Sequence, residues 1–324
     1  MADDLIVVFG GSGFIGRHVI KALAKRGKRV RVPMRRPHLG QDLRVLGDVG
    51  QIQLVQANVR YPESIDRALE GATGVVNLIG IGFEKGSQTF FNIHAEGAAS
   101  IAAKADKREI DRFVQISALG AGPKAKSRYA KTKTEAEEAV RTSIPAAVIL
   151  RPSIVFGPED TFFNRFADMA KFAPVLPSIG FGRTKFQPLF VGDLAEAIAN
   201  ALDSRSARGR TFELGGPRIY SFNEILRFIC KTIDRPRLLV PLPFLFAQPL
   251  GALCGAICRP LPFAPPLTGD QVELLRRDNI VRAEDKVGTI ADLGVTSLET
   301  VEAITPSYLW RFRPYGEFQA KPAA

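Results

Sequence analysis

The sequence predicts an α/β fold: a doubly wound parallel sheet carrying a smaller, mostly helical C-terminal lobe. Three observations point there. Short apolar runs alternate with helix-patterned segments over the first 155 residues, a glycine-rich turn joins the first run to the first helix, and the alternation ends near Pro158. Strand, helix, strand at this spacing gives right-handed crossovers, hence parallel strands with helices on both faces.

LIVVF (5–9) is apolar at every position, as in a strand buried on both sides. The next helix runs from about Phe14 to Lys25 and stops near Gly27. RVRVPM (29–34), QIQLVQA (51–57), GVVNLIG (74–80), RFVQIS (112–117) and AAVILRP (146–152) read as the following strands. Helical patterns at 62–70, 89–105 and 129–140 separate them. On the last of these helices, Glu135, Glu137 and Glu138 read as a solvated face. Past Pro158 a helix at 162–172 leads into a loop, PVLPSIGFGRTKFQ (174–187), and VGDLAEAIANAL (191–202) returns to the main sheet. From about 210 proline is frequent and strands are rare. The expected division is a sheet domain over 1–160 joined by about 186–205, a capping lobe over 161–185 and 206–311, and an extended tail over 312–324.

The formal charge of +11 on 324 residues, 46% of them hydrophobic, describes a soluble chain suited to an acidic partner: nucleic acid, anionic lipid or an acidic protein surface. No nucleic-acid fold signature is present, so nucleic acid is not expected. YLWRFRPYGEF (308–318) alternates aromatics with Arg311 and Arg313, residue types enriched at interface hot spots. Cys230, Cys254 and Cys258 are too few for a disulfide framework and favour a reducing compartment. The histidines His18, His38 and His94 lie far apart, so no bound metal is expected. The chain enters its first strand after four residues, and no signal peptide is expected.

VFGGSGFIGR places Gly10, Gly13 and Gly16 as GxxGxxG, while Gly11, Gly13 and Gly16 satisfy GxGxxG. The turn follows a buried strand and opens a helix, the context of a Rossmann-type dinucleotide site. Glycines let the backbone approach a pyrophosphate whose charge the helix N-terminus favours. Gly10, Gly11, Ser12, Gly13, Phe14, Ile15 and Gly16 form the expected cradle. The second strand ends in PMRRP, with no acid until Asp42. Arg35 and Arg36 suit a 2′-phosphate, so NADP(H) is expected over NAD. Asn58 and Val59 follow the third strand, where the adenine would lie. Ile79 and Gly80 follow the fourth, where room for the cofactor backbone is needed.

Ser117 ends the fifth strand, and Tyr129-x-x-x-Lys133 follows twelve residues later. Tyr129 and Lys133 share one helical face a turn apart. This set resembles the short-chain dehydrogenase/reductase superfamily, in its extended or atypical branch, as do RPSIVFGP (151–158) and VGDLAEAIANAL. The resemblance implies Tyr129 as proton donor, Lys133 as its tuner and ribose ligand, and Ser117 as polariser of the substrate oxygen. It also implies that Pro152, Ser153, Ile154 and Val155 flank the nicotinamide. The chain departs from the extended branch in reading ISA, with Ala118 where a second serine is common, and its second lobe offers no sugar or diphosphate clamp.

A closer resemblance spans nearly the whole chain. VFGGSGFIGR, LRVLGDVGQ (43–51), VVNLIG, SRYAKTKTEAE, VFGPEDTFFNRFADM and PLPFLFAQPLGAL are similar to the accessory subunits of respiratory complex I known as alpha subcomplex subunit nine. That family implies tightly held NADPH without established turnover and assembly with other complex I subunits near the junction of peripheral and membrane arms. For this chain it implies the cytoplasmic side of a bacterial inner membrane. Lys133 is then a ribose anchor and Tyr129 idle. Two alternatives stay open: a working NADPH-dependent reductase or epimerase using Ser117, Tyr129 and Lys133, and a non-catalytic NADP(H) redox sensor. LLVPLPFLFAQPLGALCGAIC (238–258) is apolar apart from Gln248, but Pro241, Pro243 and Pro249 leave no helix long enough to span a bilayer. It reads either as core or as a segment docking on lipid or partner subunits beside Arg235, Arg237 and Arg259.

Overall fold

The computed structural model describes residues 4–258, 265–282, 287–314 and 316. Arg259 and, from the tail expected over 312–324, residues 315 and 317–324 lie outside the described residues. Strand β1 (Leu5–Phe9) is buried at all five positions. Ile6 and Val8 face one layer of the core, and Val7 and Phe9 face the other. The chain continues through α1 (Phe14–Lys25), β2 (Arg29–Met34), β3 (Ile52–Gln56), α2 (Pro62–Ala68) and β4 (Gly74–Asn77). Then come α3 (Glu96–Asp106), β5 (Phe113–Ile116), α4 (Arg128–Ser143) and β6 (Val148–Pro152). These strands pair in parallel throughout.

The second half carries β7 (Val155–Phe156), α5 (Phe163–Phe172), β8 (Val175–Ile179), β9 (Lys185–Phe186), β10 (Leu189–Phe190) and α6 (Val191–Asp203). It goes on through β11 (Thr211–Leu214), β12 (Tyr220–Ser221), α7 (Phe222–Thr232), β13 (Leu238–Leu242), α8 (Phe244–Cys258), α9 (Gly269–Leu274) and β14 (Val287–Gly288). The main sheet has the order β14-β11-β6-β5-β4-β1-β2-β3. Strand order reverses between β1 and β4, the switch point where such sheets bind ligands at their carboxyl ends. Helices α1 and α6 cover one face with Ile20, Leu23, Leu194 and Ile198; α2, α3 and α4 cover the other with Ile65, Ile101 and Val140. A separate core, built around Phe156, Phe163, Phe222, Ile225 and Ile229, holds the smaller lobe together.

The doubly wound parallel sheet agrees with the sequence expectation; three details differ. Residues 206–311 do not all belong to the lobe. β11 pairs with β6, β14 extends the same sheet, and Leu293 and Val295 pack in the main core. β11 (TFEL) breaks its apolar residues with Glu213, and the two residues of β14 are too few to show a pattern. The expected loop at 174–187 contains β8, paired in parallel with β13 despite Pro177 and Pro241. A two-stranded ribbon leaves one side of each strand unpaired, so a proline facing outward forfeits no ladder bond.

The third difference is Glu137. Glu135 and Glu138 are exposed, but Glu137 is buried. It accepts two hydrogen bonds from Arg151 on β6, Nε to Oε1 at 2.9 Å and Nη2 to Oε2 at 2.6 Å. This bidentate pair fastens α4 to the sheet. Removing one partner strands a buried charge. Arg151→Met is therefore expected to cost about 3 kcal/mol, and the double variant with Glu137→Leu less than the single one. Urea unfolding midpoints of the two proteins check this; equal losses would refute the buried pairing.

Candidate functional site

The turn between β1 and α1 is closed by hydrogen bonds from the Gly11 amide to the Val8 carbonyl and from the Gly13 amide to the Gly10 carbonyl. Gly10 has a φ of +78°, and a Cβ there would meet the Leu78 carbonyl carbon at 3.0 Å. A Cβ on Gly16 would lie 2.5 Å from the Gly10 oxygen and the Gly11 Cα. Only glycine permits this packing of the helix start onto its own turn. Helix α1 then begins at Gly13 with no side-chain cap and no acidic residue in its first turn. Its first amides, on Phe14, Ile15 and Gly16, can have no partner within the helix and point with its positive end toward the switch point. An exposed Ser12 completes the turn. These residues fit a dinucleotide's pyrophosphate.

Arg35 and Arg36 are exposed just past β2, with Arg35 3.4 Å from the Gln88 amide oxygen. Asp42, the first acid after the strand, is paired with Arg17. The Asn58 side-chain oxygen accepts from the Arg60 amide, and its side-chain Nδ2 has no protein partner among the described residues. Asn58 and the half-buried Val59 lie past β3; Ile79 and Gly80 lie past β4. A Cβ on Gly80 would come within 3.3 Å of Lys133 Nζ and 3.7 Å of His94 Nε2.

Ser117, Tyr129 and Lys133 meet in one cavity of about 770 Å³ between the sheet and the lobe. Ser117 is buried, and its hydroxyl has no hydrogen-bond partner among the described residues. Unpaired buried hydroxyls are costly, and this one is free to bond a ligand. Lys133 is also buried, its ammonium donating to the Ile116 carbonyl at 3.2 Å and lying 3.5 Å from that of Ile79. Burial pulls it down to about 8, against the opposing charge of Glu137 one turn on. The Tyr129 phenol has no protein partner among the described residues, and burial pushes it up to about 12. Lys133 Nζ lies 6.0 Å from the Tyr129 ring centre.

Sequence reasoning missed three residues that hold this set. His94 lies in a π-helical turn (Phe91–Ala95) ahead of α3, stacked on Phe90 and edge-on to Tyr129. Its Nε2 accepts from the Ile81 amide at 2.9 Å, so Nδ1 carries the proton and donates to Thr132 Oγ1 at 3.1 Å. Burial, and then the nearby Lys133, hold it at about 3, a neutral strut between α4 and the loop after β4. Asp270, from α9, accepts from the Arg128 amide at 2.6 Å and the Tyr129 amide at 3.1 Å. With Ser127 accepting from Ala130, the first three amides of α4 are all satisfied. Asn279 accepts from the Ser153 hydroxyl at 2.7 Å and the Ile154 amide at 3.0 Å. The Ser153 hydroxyl is thus spent on tying the lobe down, although Pro152, Ser153 and Ile154 do line the cavity, as do Phe14, Ile15 and Gly80. The T-x-x-Q capping box at Thr268 was the legible signal for α9; nothing local marked His94 or Asn279.

A family model described as the NAD dependent epimerase/dehydratase family matches residues 6–215. The chain is 36% identical, over 85% of its length and 70% of the relative's, to the mitochondrial NADH dehydrogenase [ubiquinone] 1 alpha subcomplex subunit 9 of Arabidopsis thaliana. It is 33% identical to the same-named protein of Rattus norvegicus over 98% of this chain and 84% of the other. Among solved structures, UDP-glucuronic acid 4-epimerase from Bacillus cereus in complex with NAD superposes with a TM-score of 0.65, at 21% identity, over 74% of this chain and 87% of that one.

The buried lysine sets a pH dependence. Lys133 titrates near 8 when folded and near 10.5 when unfolded, so between those values the unfolded chain holds more protons. Its contribution to stability therefore rises with pH across that window. Raising the pH from 8 to 9.5 is expected to increase the urea midpoint of the cofactor-free protein more than that of a Lys133→Met variant. Parallel profiles would contradict the buried ammonium.

Proposed function

The chain belongs to the NAD dependent epimerase/dehydratase family, and within it we propose an NADPH-holding accessory subunit of respiratory complex I rather than a free-standing enzyme. The observation that carries this reading is similarity to alpha subcomplex subunit 9 proteins across 98% of the chain, lobe included. Arg35 and Arg36, with Asp42 already engaged by Arg17, favour a 2′-phosphate over a bare 2′-hydroxyl. Lys133 serves as an anchor for the nicotinamide ribose. Tyr129 retains its proton too strongly to be an effective acid in this arrangement.

The lobe offers a docking face for the assembly. Helix α8 exposes Phe246, Leu250, Leu253 and Ile257 at helical spacing, with Leu245 beside them. A continuous apolar stripe on a surface helix marks a contact with other subunits or with the membrane. No helix among the described residues is long and apolar enough to cross a membrane, which fits peripheral attachment at the cytoplasmic face of an inner membrane. NADPH bound at the switch point would stabilise the folded subunit by mass action and so couple cofactor retention to assembly.

A second reading has one observation in its favour: the unpaired Ser117 hydroxyl and the Tyr129 phenol line the same cavity, as a carbonyl reductase requires. There NADPH would supply hydride, Ser117 would orient the carbonyl oxygen and Tyr129 would hold the proton.

Affinity-tagged protein at natural abundance is expected to bring down complex I subunits and release NADPH on denaturation. Arg35→Ala with Arg36→Ala is expected to weaken NADPH binding by about tenfold or more, leave NADH binding unchanged and reduce assembly. Recovery without any complex I subunit sinks the accessory-subunit reading. Turnover of a carbonyl substrate that disappears in Tyr129→Phe, with cofactor retained, would favour the reductase.

A further inference from the structure

The cavity changes character along its length. At the sheet end it is polar, with Ser117, Tyr129 and Lys133. Within the lobe its wall is apolar: Phe162, Phe166, Met169, Phe186, Leu242 and Leu267. Charged side chains that reach this wall are already committed. Arg165 donates to the Pro265 carbonyl, Asp270 caps α4, Glu273 pairs with Arg276, and Asp278 accepts from the Lys185 amide. Lys126 and Arg277, both exposed, are left at the mouth. A nucleotide sugar or a phospholipid would bring phosphate charge against a mostly apolar wall in which, among the described residues, the half-buried Arg165 is the cation and already donates to a backbone carbonyl, at high desolvation cost. An aliphatic chain meets no such cost, and the volume of about 770 Å³ lies in the range of small-molecule sites even after a nicotinamide takes its share.

Two features fix the orientation of such a chain. The orphaned Ser117 hydroxyl is a hydrogen-bonding group at the closed, polar end. At the other end the lining reaches the surface through Leu250 on α8 and Leu274 on α9, which line the cavity yet are 46% and 38% exposed. We propose that the cleft binds a long-chain aliphatic ketone or alcohol, its single oxygen on Ser117 and its chain running through the lobe toward α8.

This rests on the nicotinamide end of the cleft being a cofactor site, so cofactor content is measured in the same sample as ligand binding. Full-length protein retaining NADPH is titrated calorimetrically with octan-2-one, decan-2-one and dodecan-2-one, and with UDP-glucose as the polar probe. Each added methylene is expected to tighten binding roughly three- to fourfold, and UDP-glucose to bind more weakly than any of the ketones. Ser117→Ala should lower every ketone affinity about fivefold and keep the chain-length dependence. Cys254→Trp, which narrows the lobe end, should remove the gain beyond the shortest ketone. The chain-length series on the unaltered protein stands even if that variant misfolds. Equal affinity across the series, or UDP-glucose binding tighter than dodecan-2-one, overturns the proposal. Protein that purifies without cofactor while the series still holds counts against the cofactor reading alone.

Discussion

Helix α4 is held at its first turn by a carboxylate from the opposite lobe, and the geometry of the cleft follows from that contact. Asp270 takes the two leading amides of the helix, Ser127 takes the third, and the positive end of the helix dipole adds to the attraction. The bond does two things at once. It sets the rotation of the helix that presents Tyr129 and Lys133, and it pins α9 across the cavity. Farther along, Glu137 and Arg151 fix the same helix to β6, and His94 struts its flank. The residues facing the cavity are thus placed by partners from the lobe, the sheet and the helix flank.

That arrangement favours holding over reacting. Lys133 lies against two backbone carbonyls and carries a weakened proton affinity from burial, while the half-buried Tyr129 phenol is a poorer acid than in water. A charge brought nearby by a bound dinucleotide would change both. Among the described residues the Ser117 hydroxyl has no hydrogen-bond partner, which leaves it free to bond a ligand.

The parallel sheet was legible because β1 to β6 lie in largely apolar runs with turn signals between them. Strands β11 and β14 were not: β11 sets Thr211 and Glu213 among its apolar residues, and β14 is two residues long. β8 was concealed by prolines that a two-stranded ribbon tolerates. Glu137 was misjudged because three glutamates within four positions look alike in sequence; only the helix rotation distinguishes the one that turns inward to Arg151. The apolar run at 238–258 resolved into a strand and a helix rather than one segment, since Pro243 stands between them.

The sequence alone determined the dinucleotide turn, the tyrosine–lysine spacing and the sheet they stand on. Each is a local property: glycine at Gly10 and Gly16 answers a steric demand of its immediate neighbours, and a four-residue spacing places two side chains on one face of any helix. Tertiary structure alone decided which polar groups are left without partners, and so what the cleft can hold. Asp270 is 142 positions from the amide it caps, and Asn279 is 126 from the hydroxyl it engages. Burial and pairing depend on what arrives from such distances, and no local pattern carries that information.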